Sequence, residues 1–316
     1  MPQPALLCRM LAPGIAATAH TPEVWLAVAQ TSTSAQAAED SAAKHLLVAC
    51  SVASLSEAWS QIILAGGWGG VGLDWGRIHG SYATGLALAS SDLDFVIFCP
   101  APDDRTILTG WLLQLAQTLT SGCAPSGFHW VLHHPTTIVV PSPAGPLLSL
   151  MLTDGAELEL SVDVTFHSSH HAGLLSTHTI LAGPAHSLLL LRTLVGCLKP
   201  FLMSKRLVGR PGGGLPSAIL VLLMQDFVLR SALASPQEAF SYSASRLVAS
   251  FCESLQSDHS LVLPWTTEAI AVPLSELTYD PTGWPQVLAQ LTAIAAELQE
   301  GCESPGQLQQ YLSVQT

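Results

Sequence analysis

The clearest alternation of hydrophobic and polar residues runs from Leu158 to Phe166. Every second position is apolar, which is the pattern of a β-strand with one buried face. The apolar face consists of Leu158, Leu160, Val162 and Val164, and the opposite face of Glu159, Ser161, Asp163 and Thr165. Aromatic and β-branched residues between turn residues predict further strands, which are Asp92–Phe98, Phe128–Leu132, Thr137–Val140 and Leu147–Leu152.

Helical spacing of apolar residues predicts most of the remaining elements. In the first half these are one or two helices between Glu23 and Leu47, and helices at Ser54–Leu64 and Thr106–Leu119. After Phe166 the strand signals mostly stop, and helices are predicted at Ser187–Met203, Leu215–Leu233, Ala244–Leu255 and Trp284–Leu298. The predicted fold class is α+β, with an α+β first half and a largely helical second half.

Length and composition favour a folded chain of two domains. The 316 residues are about twice the usual length of one domain. Only 11% of the residues are charged and 49% are hydrophobic, a composition that excludes a disordered chain. No uninterrupted apolar run approaches the ~18 residues of a membrane span, so we predict a soluble protein without a membrane partner. Residues 1–19 have no basic start and are predicted to be a flexible N-terminus rather than a targeting peptide.

The cysteines and the charged residues further limit the kind of protein that this chain can be. Seven scattered cysteines without a C-x-x-C pair predict neither a disulfide framework nor a zinc site, which fits an intracellular compartment. The net charge of −12, with only 11 lysines and arginines, disfavours tight unaided binding to nucleic acid. Several of these cations lie close together and predict an anion-binding region: Arg192, Lys199, Lys205, Arg206 and Arg210.

Three aspartates form a candidate metal site. Asp92 and Asp94 stand two residues apart at the start of a predicted strand, which places both carboxylates on one face. Such a pair repels unless a cation lies between its members. Asp163 offers a third carboxylate on another strand, and three such groups could hold two Mg²⁺ ions that align a hydroxyl with a nucleoside triphosphate. The D-x-D pair alone is also compatible with a solvated strand end.

The residues around these aspartates resemble a known family. Gly80-Ser81, followed by Asp92-Leu93-Asp94, resembles the G-S…D-x-D signature of DNA-polymerase-β-like nucleotidyltransferases, in the form found in template-independent RNA nucleotidyltransferases. The segment Leu160–Phe166 is similar to the strand that carries the family's third aspartate. The segment Leu194–Leu207 looks like a helix of TRAMP-type nuclear poly(A) polymerases and related uridylyltransferases, in which a lysine touches the triphosphate.

This resemblance implies a polymerase-β-like nucleotidyltransferase domain with a mixed sheet at residues 45–178. A mainly helical PAP-associated central domain would comprise residues 20–44 and 179–316. The implied catalytic residues and metal ligands are Asp92, Asp94 and Asp163. The implied nucleotide-binding residues are Gly80, Ser81, Ser176, Thr177, Lys199, Lys205 and Ser217. Gly80 lets backbone amides approach a phosphate, and Ser81 adds a hydroxyl donor. The implied cofactors are two Mg²⁺ (or Mn²⁺) ions, with ATP as substrate.

We therefore expect addition of nucleotides, with AMP from ATP favoured, to RNA 3′ ends. Ala218 stands where many relatives carry a base-stacking aromatic, and the recognition loop is shortened to residues 282–284, so the choice between ATP and UTP stays open. Terminal uridylyl transfer and a catalytically silent scaffold are the alternatives. The expected partners are an RNA 3′ end, an NTP and a basic RNA-binding protein, without DNA, in the nucleus rather than the cytoplasm.

Two other patterns do not predict a function. Residues 67–72 match G-x-G-x-x-G, but no helix pattern begins at Gly72, and Asp92 begins a strand instead of ending one, so no dinucleotide-binding fold is predicted. Four histidines lie in an irregular polar stretch without the acidic or cysteine partners of a zinc site. They are predicted to be loop residues: His167, His170, His171 and His178.

Overall fold

The computed structural model describes two compact units. The described residues are 35–66, 75–88, 91–98, 104–133, 139–142, 145–167, 172–204, 207–208, 215–231, 244–255, 260–262, 271–273 and 284–301. The first unit consists of Met1–Gly85 with Ala89–Ser169. The second unit consists of Leu86–Leu88 with His170–Thr316.

The first unit is built on a mixed β-sheet. Its strands are β1 (Gly76–His79), β2 (Leu93–Ile97), β3 (His129–Leu132), β4 (Val139–Ser142), β5 (Gly145–Thr153) and β6 (Glu159–Phe166). They follow the order β1-β2-β6-β5-β3, with β4 also paired to β5. Strands β2 and β6 are parallel, and the other pairs are antiparallel. The unit also contains helices α1 (Ala35–Ala65), α2 (Gly80–Thr84) and α3 (Arg105–Gly122), which confirms the α+β prediction.

The alternation seen in the sequence gives the sheet its buried face. Leu160, Val162 and Val164 of β6 are at most 2% exposed, and the positions between them are half-buried. Helices α1 and α3 pack against the sheet, and the ring centroids of Trp59 in α1 and Phe166 in β6 lie 5.7 Å apart. Burial of each large apolar side chain contributes about 1.5–3 kcal/mol. The apolar stripe therefore positions the helices and leaves the other side of the strands for polar side chains.

The second unit is largely helical, as predicted. Its described elements are α4 (Ala172–Leu181), α5 (Ala185–Ser204), α6 (Ser217–Arg230), α7 (Ala244–Ser254), α8 (Trp284–Gly301) and the antiparallel strands β7 (Ser260–Val262) and β8 (Ala271–Pro273). Every residue from Ile219 to Gln225 is buried, which is typical of a helix enclosed by its neighbours. Helices α4, α5 and α7 pack against α6, and α8 packs against α7.

The first helix and the domain boundaries differ from the sequence-based expectation. The sequence predicted separate helices before Leu47 and after Ser54, whereas α1 is continuous. The intervening residues 48–53 contain neither glycine nor proline, so nothing in them ends a helix. Residues 35–44, assigned to the helical domain, belong to this helix and to the first unit. The units divide between residues 169 and 170 rather than 178 and 179, and Leu86–Leu88 join the second unit.

The histidine-rich stretch was also interpreted wrongly in part. His178 lies in α4 and is therefore not a loop residue. Its side chain is exposed, while Ile180 two residues later is buried, so the helix has a buried side that its polar residues obscured in the sequence. His167 follows β6 directly, and His170 and His171 lie outside the described residues.

Two helical segments are long and apolar enough to cross a membrane by length and composition alone, although neither is an uninterrupted apolar run. They are residues 42–65 of α1 and 187–204 of α5. Within the structure, 39% and 50% of their apolar windows are buried against the rest of the protein. Core helices of soluble proteins have the same length and composition, so these segments are only a weak indication of a membrane protein.

We expect Leu150→Ala in β5 to lower the free energy of unfolding by about 2–5 kcal/mol, because it removes a fully buried side chain from the centre of the sheet. Leu64→Ala is the control. Leu64 is 80% exposed at the end of α1, so its replacement changes the free energy by no more than about 0.5 kcal/mol. Urea denaturation measured by tryptophan fluorescence tests both, and equal effects would contradict the assigned core.

Candidate active site

A glycine turn joins β1 to α2 at the edge of the sheet. Gly80 begins α2 with a φ of +68°, a backbone conformation that other residues rarely adopt. A Cβ atom at Gly80 would collide with the carboxylate of Asp94, because it would meet Oδ2 and lie 3.1 Å from Cγ. The turn therefore brings the backbone directly against an acidic side chain of β2, and only glycine fits there.

Local hydrogen bonds close the short helix that follows. The Thr84 hydroxyl donates to the carbonyl oxygens of Gly80 and Ser81, at 3.0 and 3.2 Å. Gly85 ends α2 in the left-handed conformation, and its backbone N–H donates to the carbonyl oxygens of Ser81 and Tyr82. Ser81 is thereby held, half-buried, in the first turn beside the strand that carries Asp94.

Strand register places two aspartates side by side. Asp94 of β2 is the direct partner of Asp163 in the parallel strand β6. Direct partners on neighbouring strands lie about 4.8 Å apart and point to the same face, so two half-buried carboxylates share one side of the sheet. His79 faces Asp94 from β1, and Ser149 faces Asp163 from β5. The sheet thus carries one row of four polar residues across four strands.

Asp92 lies apart from this pair. The sequence placed it at the start of the strand, but β2 begins at Leu93 and the side chain of Asp92 is exposed. Within the described residues, no three histidine, cysteine, aspartate or glutamate side chains are close enough to hold a metal ion together. The structure therefore brings two of the three predicted ligands together and leaves the third at the edge of the site.

Tyr82 is a buried residue of α2 that the sequence analysis did not single out. Burial, and then the negative charge of Asp92, raise the pKa of the Tyr82 phenol. Its side chain is 9% exposed, and its hydroxyl is buried without a hydrogen-bond partner within the described structure. A buried hydroxyl without a partner costs about 1–3 kcal/mol. His79 and Ser149 were also missed, because only strand register shows that they share a row with the aspartates.

The other predicted nucleotide-binding residues lie in the second unit. Ser176 and Thr177 are buried in α4, where the Thr177 hydroxyl donates to the Gly173 carbonyl oxygen at 2.8 Å. Lys199 is half-buried in α5, and Ser217 is the first residue of α6. Lys205 lies outside the described residues.

The predicted anion-binding region includes two cations of the helix that carries Lys199. Arg192 and Lys199 are both half-buried in α5 and seven residues apart, which puts them on the same side of the helix. Burial lowers the pKa of the Arg192 guanidinium, but an arginine remains charged at neutral pH. The other predicted members of this region, Lys205, Arg206 and Arg210, lie outside the described residues.

The polar row fits a divalent cation. Two carboxylates on one face repel each other unless positive charge lies between them. Carboxylate oxygens are also the preferred ligands of Mg²⁺. The glycine at position 80 keeps the space next to Asp94 free of a side chain. The residues that fit such an ion directly are Asp94 and Asp163, and Asp92 would join them only by moving towards the pair.

Comparison with known proteins agrees with this geometry. The nucleotidyltransferase domain family matches residues 77–126, which include the glycine turn, Asp92 and Asp94. No curated protein is similar enough to match the chain.

Solved structures with a similar fold have low sequence identity. A structure of the Cid1 poly(U) polymerase with Mg and 3′-dATP bound is 14% identical, with a TM-score of 0.52 over 84% of this chain and 92% of that chain. A cytoplasmic RNA terminal U-transferase is 14% identical, with a TM-score of 0.50 over 84% and 92%. A chain of the E. coli MS115-1 CdnC:HORMA-deltaN complex is 12% identical, with a TM-score of 0.51 over 86% and 90%.

The matched domain contains the glycine turn and two of the predicted catalytic aspartates, and strand register supplies the third beside Asp94. The mixed sheet with flanking helices is the fold expected for such a domain. The domain match together with this fold supports a nucleotidyltransferase enzyme.

Proposed function

We propose that this enzyme adds nucleotides to RNA 3′ ends without a template, with AMP from ATP as the favoured addition. The observation that carries the proposal is the pairing of Asp94 with Asp163, next to a turn that only glycine can form. Transfer to a 3′-hydroxyl forms a bond from its oxygen to the α-phosphorus, and pyrophosphate leaves. The similarity in fold to the RNA-extending enzymes described above supports RNA as the acceptor.

The residues of the first unit have distinct roles in this proposal. Asp94 and Asp163, joined by Asp92, would hold divalent cations, either Mg²⁺ or Mn²⁺, up to two in number. When bound, these ions supply positive charge against the triphosphate and activate the attacking hydroxyl. Without a side chain, Gly80 would let backbone amides approach phosphate oxygens, and the Ser81 hydroxyl would donate to them.

The second unit provides the remaining nucleotide contacts in this proposal, as a PAP-associated domain. Lys199 and Lys205 would neutralise phosphate charge. Ser217 would donate from its hydroxyl, and Ser176 and Thr177 would contact ribose or base. The side chains of Ser176 and Thr177 are buried within the second unit.

Terminal uridylyl transfer is the second candidate. Two of the similar structures are a poly(U) polymerase and an RNA terminal U-transferase. Ala218 is exposed at the start of α6 and offers no ring for stacking on a base, so the choice of base depends on other groups.

The net charge of −12 bears on how the enzyme holds RNA. Phosphate contacts from lysine and arginine provide most non-specific affinity for nucleic acid. We therefore propose that a basic RNA-binding partner brings the substrate. The nuclear location is proposed only from the resemblance of Leu194–Leu207 to TRAMP-type nuclear poly(A) polymerases.

Replacing a catalytic aspartate should abolish transfer. Asp163→Asn is expected to lower the rate of RNA extension at least about 100-fold, because it removes a charge worth several kcal/mol at the site. Extension of a labelled single-stranded RNA, with each NTP separately in Mg²⁺ and Mn²⁺, measures both the rate and the preferred base.

Glu159→Gln is the matched control for this variant, because Glu159 is an exposed carboxylate on the same face of β6. It should extend RNA at the wild-type rate. If Asp163→Asn retains activity, or if wild type extends with no NTP even beside a basic RNA-binding protein, the proposed function is wrong.

The glycine turn provides a second test. Gly80→Ala should lower transfer at least tenfold, because the added methyl group collides with the Asp94 carboxylate. Gly127→Ala introduces the same kind of backbone strain at a φ of +87°, but its Cβ meets open space. We expect Gly127→Ala to retain activity while losing about as much stability as Gly80→Ala, with stability measured by thermal unfolding. Equal losses of activity would show that strain alone explains the effect.

RNA binding by the isolated chain should be weak. At physiological salt we expect a Kd for single-stranded RNA weaker than about 10⁻⁶ M, because few cations are present to neutralise phosphates. Fluorescence anisotropy across a range of salt concentrations measures the affinity and its salt dependence. Tight binding that hardly changes with salt would contradict the need for a basic partner.

A further inference from the structure

Three side chains stack on one another across neighbouring strands of the mixed sheet. The guanidinium carbon of Arg77 in β1 lies 5.5 Å from the centre of the Phe98 ring. The ring centroids of Phe98 and His167 lie 4.9 Å apart, with the two rings inclined by 36°. Because β2 lies between β1 and β6 in the sheet, Arg77 and His167 approach Phe98 from opposite sides. We call these three residues the stacked column.

The backbone holds the stacked column in place at the protein surface. Phe98 directly follows β2, and its N–H donates to the Trp75 carbonyl oxygen at 2.8 Å. His167 directly follows β6, and its N–H donates to the Ile97 carbonyl oxygen at 2.9 Å. These bonds continue the pairing of the strands beyond their ends. Arg77 and His167 are nevertheless exposed, and Phe98 is half-buried. The two ends of the column are therefore accessible, while its position is fixed by the sheet.

The stacked column lies on the same face of the sheet as the aspartate pair. Alternate residues of a strand point to one face, which places Phe98 on the face of Asp94. Arg77 is the direct partner of Val96 and shares that face. Four residues of extended chain separate Phe98 from Asp94, a distance of about 13 Å along the strand. A polymer whose end lies at the aspartates reaches the column if it follows β2.

The chemistry of the column fits single-stranded RNA. Unpaired bases stack on histidine and phenylalanine rings and on arginine planes, whereas a duplex keeps its bases stacked on each other. An arginine also has five N–H donors, so it can contact a ring and a phosphate at the same time. In a chain of net charge −12, the residues of the first unit include only four cations, and one of them is in the column. They are Arg9, Lys44, Arg77 and Arg105.

We propose that the stacked column is a subsite for the RNA acceptor upstream of its 3′ end. Arg77 binds a phosphate of the acceptor, His167 stacks on an unpaired base, and Phe98 holds the two side chains in position. This inference rests on the proposed function, because it names where the first unit holds the RNA that is extended.

Steady-state extension of a single-stranded RNA tests the proposal. Arg77→Ala and His167→Ala should each raise the KM for RNA about fivefold, which is the loss expected for one stacking or phosphate contact. The kcat and the KM for the NTP should stay at wild-type values, because neither residue touches the NTP or the reacting atoms. Fluorescence anisotropy without NTP should show the same rise in the Kd for RNA.

Two further measurements separate the roles of the two ends. Losing one phosphate contact in Arg77→Ala should make the plot of log Kd against log salt concentration shallower by about 0.7, whereas His167→Ala should leave the slope unchanged. An acceptor with a single abasic nucleotide, moved stepwise upstream from the 3′ end, should bind wild type more weakly at one position. In His167→Ala that position should lose its effect, because the stacking contact is already absent.

Matched controls remove the same side chains elsewhere. Arg246 is an exposed arginine of α7, and His129 is an exposed histidine of β3. Arg246→Ala and His129→Ala should leave the KM for RNA unchanged. All four variants replace exposed side chains, so their Tm should stay close to that of wild type.

The proposal is overturned if Arg77→Ala and His167→Ala bind and extend RNA as wild type does, which would assign the column to a protein partner or to the sheet alone. It is also overturned if the control variants raise the KM for RNA as much, or if kcat falls while KM stays unchanged. Wild type that binds RNA but extends it with no NTP would instead overturn the proposed function, and the Kd values would still decide whether the column binds RNA.

Discussion

The parallel pairing of β2 with β6 is the constraint on which the active site depends. It sets Asp94 opposite Asp163 only because Leu93 and Phe95 pair with Val162 and Val164 in the core. A slip by one residue would turn the apolar side chains of one strand towards the polar face and carry its aspartate into the core. The free energy of burying these side chains therefore holds two like charges together, an arrangement that the carboxylates alone would oppose.

The glycine turn extends the same constraint to the neighbouring edge of the sheet. β1 pairs with β2 so that His79 faces Asp94, and the chain then turns at Gly80 directly over that carboxylate. Backbone and acidic side chain occupy space that a methyl group would fill. The first unit therefore places a backbone turn directly beside two carboxylates that favour a cation, and the proposed nucleotidyl transfer would use this combination.

The sequence predicted the parts of this architecture that depend on local pattern. Alternation located β6, and Asp92-Leu93-Asp94 with Gly80-Ser81 located the turn and the acidic strand. The sequence pattern could not show that α1 is continuous. A glycine or proline between two helical segments indicates a break, but its absence does not by itself indicate that the helix continues. Strand register, and with it Ser149 and His79 in the polar row, depends on pairing between distant segments. That the buried Tyr82 hydroxyl lacks a hydrogen-bond partner within the described structure can be seen only when burial and hydrogen bonding are both known.

The most direct test of the account is the position of the proposed cation. Anomalous scattering from crystals grown with Mn²⁺ and a non-hydrolysable ATP analogue locates that ion independently of any rate. The account predicts an Mn²⁺ ion bound by carboxylate oxygens of Asp94 and Asp163, with the triphosphate beside Gly80 and Ser81. An ion bound elsewhere in the chain, with these two carboxylates making no contact to metal or nucleotide, would contradict it.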